Sequence, residues 1–121
     1  FHDCCCAHWY WYDYSNRPIR FWPKRDLFNV LYGTSPMYIF DKRLWEERKD
    51  MFVRSYRTTG PVARRTGYSE MTDHRALTAD RSVQRSTFAD GTVVTVNFGD
   101  RPYDLGGGVT LQPLSHRVET R

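Results

Sequence analysis

The sequence lacks any apolar run near the ~20 residues that a membrane-spanning helix needs, so no membrane span is expected. No basic stretch leading into an apolar core marks a signal peptide. There is no internal repeat and no low-complexity tract. There is no Ser-centred nucleophile elbow, phosphate loop or dinucleotide glycine pattern. Gly106-Gly107-Gly108 neither follows a strand nor opens a helix. Lysine is scarce: fifteen of the eighteen bases are Arg. Cysteine is confined to three adjacent residues, so there is no second cluster to support long-range disulfides. No initiator Met is present. Phe1-His2-Asp3 reads as a chain entered in mid-element, the expectation for a piece of something longer.

What is present amounts to one domain's worth of chain, 121 residues. Hydrophobic residues make up 40%, and exchanging the 8 Tyr for the 8 Gly leaves the figure unchanged. Soluble domains average ~45–50% on that second set, so the content is slightly low but far from a disordered composition. The net charge is +4. Acids are interleaved with the bases almost everywhere, whereas a nucleic-acid footprint gathers its charge on one face. No nucleic-acid partner is expected. Residues 42–65 hold eight bases and three acids, which read as helix surface. The aromatics divide the chain: fifteen of nineteen fall in residues 1–60, and all four Trp within the first 45.

Periodicity and turn residues suggest the elements. Lys24 to Tyr32 reads as a helix, with Leu27, Val30 and Leu31 as its stripe and Gly33 as the residue after its end. Met37 to Phe40 reads as a short buried strand, ended by Asp41, which caps the next helix. That helix is expected from Lys42 to about Thr58, with Leu44, Arg48, Met51, Phe52, Ser55 and Tyr56 facing inward. Asp50 and Arg54 are spaced as an acid-first pair. Thr59-Gly60-Pro61 should stop this helix, and a second short one should run from Val62 to Thr66. From Arg75 the chain reads as β. Ala89-Asp90-Gly91 between Ser82–Phe88 and Thr92–Phe98 is a hairpin signal. Further strands are expected at Val109–Leu111 and Ser115–Val118. Helix, strand, helix is one step of a (β/α) array, where functional groups sit beyond strand ends. Asp3 to Asn16 and Asp41 meet that description.

Sugars present C–H patches that stack on aromatic faces and hydroxyls that bond carboxylates. His2, Asp3, His8, Trp9, Trp11, Asp13 and Asn16 supply those residue types within sixteen positions. A hydrophobic plug is the alternative, because Trp is often core. Both readings stand on composition. Three contiguous Cys alternate faces on an extended chain, unlike the spaced pairs that wrap zinc, so no metal and no cofactor is expected. Small buried hydrophobes are the plainer role for them; a vicinal bridge stays open. Glycoside hydrolysis needs two carboxylates. Asp3 and Asp41 both fall at expected strand ends, although helix capping explains Asp41 alone.

Several strings together resemble a known family. They are His2-Asp3-Cys4 running into Trp9-Tyr10-Trp11 and Asp13-Tyr14-Ser15-Asn16, and Tyr32-Gly33-Thr34 with Pro36-Met37-Tyr38. The longest runs from Ser55-Tyr56-Arg57 through Pro61-Val62-Ala63 and Gly67-Tyr68-Ser69-Glu70-Met71 to the stretch Leu77–Gln84. Over roughly residues 1–100 the chain resembles the C-terminal part of bacterial glycoside hydrolases related to endo-α-N-acetylgalactosaminidases, families 101 and 129. The resemblance implies a (β/α)8 TIM-type barrel followed by an antiparallel β-sandwich. Residues 1–72 would end the barrel and residues 73–121 would begin the sandwich. It implies cleavage of α-linked N-acetylgalactosamine from mucin-type O-glycans with retention, by an Asp and a Glu upstream of Phe1. This piece, inactive alone, would then contribute sugar-binding groups: Asp3 first, with Trp9, Trp11, Asp13, His2 and Asp41. The O-glycan is the implied partner, and an extracellular or periplasmic location is implied with it. Cys4-Cys5-Cys6 departs from what an exported enzyme usually carries. The rival expectations are a non-catalytic carbohydrate-binding β module and a basic nucleic-acid binder.

Overall fold

A computed structural model describes residues 4–5 and 21–120. They form a small domain of two helices and an antiparallel sheet. Helix α1 is Trp22–Tyr32 and helix α2 is Lys42–Thr66. Strands β1 (Met71–Ala76), β2 (Val83–Phe88), β3 (Thr92–Asn97) and β6 (Ser115–Thr120) make one sheet in the order β1-β2-β3-β6. Strands β4 (Tyr103–Asp104) and β5 (Thr110–Leu111) pair as a small second ladder.

Helix α1 starts two residues before the expected Lys24. Pro23 occupies its first turn, where a missing N–H costs nothing. Gly33 ends it in the left-handed conformation, φ +62, with its N–H bonded to the Asn29 carbonyl. Asp41 caps α2: its side chain accepts from Leu44 N at 2.7 Å. The helix then runs 25 residues straight through Pro61. This overturns the expected break at Thr59-Gly60-Pro61. The buried stripe of Phe52, Ser55, Thr59 and Val62 runs across that point, and Pro61 itself is exposed. The ion pairs at the start of α2 are base-first, Lys42–Glu46 and Arg43–Glu47.

Met37–Phe40 is not a strand. It makes no ladder pairing, and Ile39 and Phe40 are exposed. Aromatic packing holds it instead. Tyr38 meets Phe52 edge-on, and Phe40 lies against Trp45 and Phe52. Of the inward face expected for α2, Phe52 and Ser55 are buried, while Arg48 and Tyr56 are exposed.

The hairpin forms as expected. Gly91 takes φ +84, and the Asp90 carboxylate accepts from both the backbone and the hydroxyl of Thr92. Arg65 reaches Asp90 at 3.5 Å and ties the end of α2 to this turn. All six residues of β3 are buried, because α1 covers one face and neighbouring side chains the other. Thr95 is one such case: Arg85, its partner on β2, donates to its hydroxyl. Buried Asn97 is fully engaged, donating to the Arg101 and Leu111 carbonyls and accepting from Gly99. The core joins Leu27, Val30 and Leu31 of α1, Val62 of α2, and Phe88, Val94 and Val96 of the sheet. Each such side chain contributes ~1.5–3 kcal/mol by burial.

Candidate functional site

Where α1 passes α2, the fold brings together polar residues far apart in the chain. Asp26 follows buried Arg25 on α1, and Ser55 is the small residue that lets α2 approach. The Ser55 hydroxyl donates to Asp26 Oδ1 at 2.6 Å. The Tyr38 hydroxyl donates to Ser55 Oγ at 2.7 Å. An Arg25 N–H reaches Ser55 Oγ at 3.4 Å and Asp26 Oδ1 at 3.5 Å. The Arg25 guanidinium lies 3.8 Å from the centroid of the Trp22 ring. Its Nε has no hydrogen-bond partner among the described residues.

Burial acts on two of these groups. Burial is the largest influence on Asp26 and pushes its carboxyl up; the Ser55 bond and Arg25 pull the other way. Burial also raises the Tyr38 phenol. The result is a short chain of O–H groups that ends on the Asp26 carboxyl.

A groove of about 500 Å³ opens over this network. Trp22, Asp26, Arg54, Ser55, Ser115 and His116 bring polar or aromatic groups to it, and Leu27, Met51 and Leu114 bring apolar ones. Burial lowers His116, so the imidazole favours its neutral form. A carboxyl, a guanidinium, hydroxyls and a neutral imidazole around apolar carbon suit a polyhydroxylated ligand. Among the described lining residues Asp26 is the one carboxyl group. Hydrolysis of a glycoside takes two.

Of the residues expected from sequence, His2, Asp3, Trp9, Trp11 and Asp13 lie outside the described residues, as do His8, Asn16 and Cys6. Asp41 lies within them; it is an exposed helix cap, not part of the groove. Cys4 and Cys5 are exposed, not buried as small hydrophobes. No group of three metal-ligating side chains occurs among the described residues. No helix among them is long and apolar enough to cross a membrane. Sequence reasoning missed Asp26, Tyr38 and His116. The available signal was Ser55, a small polar residue on the inward stripe of α2, which needs a polar partner opposite.

No family model matches the chain. No curated protein matches it significantly. Two solved structures are similar over part of it. One is the ligand-free α-N-acetylgalactosaminidase NagBb from Bifidobacterium bifidum, 36% identical over 60% of this chain, with a TM-score of 0.47. The other is the GalNAc complex of the same enzyme, 37% identical over 60% of this chain, with a TM-score of 0.44. The matches span 11% and 12% of those chains.

Proposed function

We propose that the chain is a piece of a retaining glycoside hydrolase that acts on α-linked N-acetylgalactosamine of mucin-type O-glycans. It contributes sugar-binding groups, while the catalytic Asp and Glu lie upstream. The observation that carries this reading is the set of strings from His2-Asp3-Cys4 to Leu77–Gln84, which resembles that family along most of the chain. The groove over Asp26 and Ser55 supports a sugar-binding role, because its described lining brings hydroxyls, a guanidinium and an imidazole beside apolar carbon. His2, Asp3, Trp9, Trp11 and Asp13 are proposed to line the sugar pocket, with Asp3 accepting from a substrate hydroxyl. Residues 1–72 are proposed to end a (β/α)8 barrel and residues 73–121 to begin a β-sandwich. The parent enzyme is proposed to work outside the cytoplasm.

The same groove also suits a second reading, a non-catalytic carbohydrate-binding module. The DNA upstream of Phe1 separates the two. The glycosidase reading expects an open frame of several hundred codons with alternating strand and helix patterns. A start codon immediately before Phe1 would leave only the binding module.

A further inference from the structure

A second groove, also about 500 Å³, shares Tyr38 with the first network. Its described lining includes Pro36, Tyr38, Tyr56, Gly60, Arg64 and Tyr68. Tyr56 is 48% exposed and Tyr68 is 73% exposed. A helix that buried its aromatics in the ordinary way would turn Tyr56 inward. Here the ring lies along the helix surface over Gly60, where an added Cβ would meet it at 3.2 Å. The Arg64 guanidinium donates to the Tyr56 hydroxyl and sits 5.7 Å from the ring centroid. That bond takes one of five N–H donors.

Among the described lining residues the one charged side chain is Arg64. Arg54 lines the first groove instead. Arg65 is engaged by Asp90. A ligand that fits must offer an apolar C–H face to tyrosine rings and an anionic group to a planar cation. Guanidinium binds two-oxygen anions in a bidentate manner, which an ammonium cannot do.

We propose that this groove binds an anionic sugar, a pyranose ring bearing a sulfate or a carboxylate. The inference rests on the carbohydrate reading above and adds to it a charge requirement and a separate location. Proline-rich peptides also dock on aromatic-lined grooves, but the Arg64 guanidinium in the lining favours the anion.

The test is an amide-resolved NMR titration of the full 121-residue chain at fixed ionic strength. The probes are N-acetylgalactosamine, N-acetylgalactosamine 6-sulfate, sodium sulfate and a proline-rich peptide. The sulfated sugar should shift the amides of Tyr56, Gly60, Arg64 and Tyr68. Its affinity there should exceed that of the neutral sugar and of inorganic sulfate by about tenfold, the worth of one good charged contact. Arg64→Gln should remove the preference and leave the rest of the spectrum in place. Equal binding of inorganic sulfate would overturn the proposal. So would shifts produced only by the peptide. Neutral sugar binding at Asp26 and Ser55, with no response here to the sulfated one, would refute this groove alone. Silence of both sugars throughout the chain would refute the carbohydrate reading along with it.

Discussion

Gly33 and Thr66 meet so closely that a Cβ on the glycine would lie 2.5 Å from the threonine hydroxyl oxygen. The contact joins the ends of both helices, and Phe88 of the sheet stands 3.2 Å from the same point. The hydroxyl cannot swing away freely, because it donates to the Val62 carbonyl. Gly33→Ala therefore combines a left-handed backbone penalty with overpacking. It should cost about 2–4 kcal/mol. Gly107 has the same φ of +62 but nothing within 4 Å. Gly107→Ala should cost only the backbone part, about 1 kcal/mol. Urea unfolding of both variants measures the difference, and equal losses would remove the packing argument.

Ser55 sits at the centre of the buried network, so removing its hydroxyl takes a bond from three partners, Asp26, Tyr38 and Arg25. Ser55→Ala should destabilise by about 2 kcal/mol, since one of its bonds goes to a carboxyl. Tyr38→Phe loses one neutral bond and should cost about 1 kcal/mol. The double variant should cost less than the sum, because the two changes share an interaction. Strict additivity in a double-mutant cycle would show that the groups do not act as a network.

The two titrating groups of the first groove act in opposite directions. The folded state depresses the imidazole of His116, so its contribution is full above about 6.5 and falls as pH drops through the folded value. The folded state raises Asp26, so its contribution is full below about 3.8 and is lost as pH rises through the folded value. Between about pH 7.5 and pH 5, a window that spans the ordinary imidazole value, the His116 effect should appear as falling stability on acidification. His116→Gln should flatten that segment of a melting-temperature profile. An unchanged slope in the variant would assign the effect to another group.

Pro61 interrupts the hydrogen-bond ladder of α2 at an exposed position. Pro61→Ala restores a donor without touching the core. It should stabilise the chain by about 1 kcal/mol or more, given the ~3 kcal/mol penalty of an interior proline. Circular dichroism melts would read the gain. A loss of stability would mean that the proline shapes a bend the packing needs.

These features differ in how far they could be read from sequence. The β2–β3 hairpin was legible because Asp90-Gly91 specifies the turn and β-branched residues flank it. The end of α1 was legible because Gly33 is the residue that takes a left-handed cap. Met37–Phe40 misled because a short apolar run reads as a strand, yet aromatic stacking on α2 holds it without a ladder. Thr59-Gly60-Pro61 misled because local propensity predicts a stop, while Phe52, Ser55, Thr59 and Val62 form one buried stripe across it. The Asp26–Ser55 contact was illegible because its residues lie 29 positions apart. Nothing local marks such a pairing. The Trp-rich stretch is where composition spoke most clearly for sugar, and it lies outside the described residues.

The most direct test of the central claim is an activity assay on the intact reading frame that contains this chain. The substrate is an aryl α-N-acetylgalactosaminide, and proton NMR follows the anomer first released. The account predicts hydrolysis with retention, strong loss on Asp3→Asn, and no turnover by the 121 residues alone. Turnover by the isolated chain, or an intact protein with no action on this linkage, would contradict it.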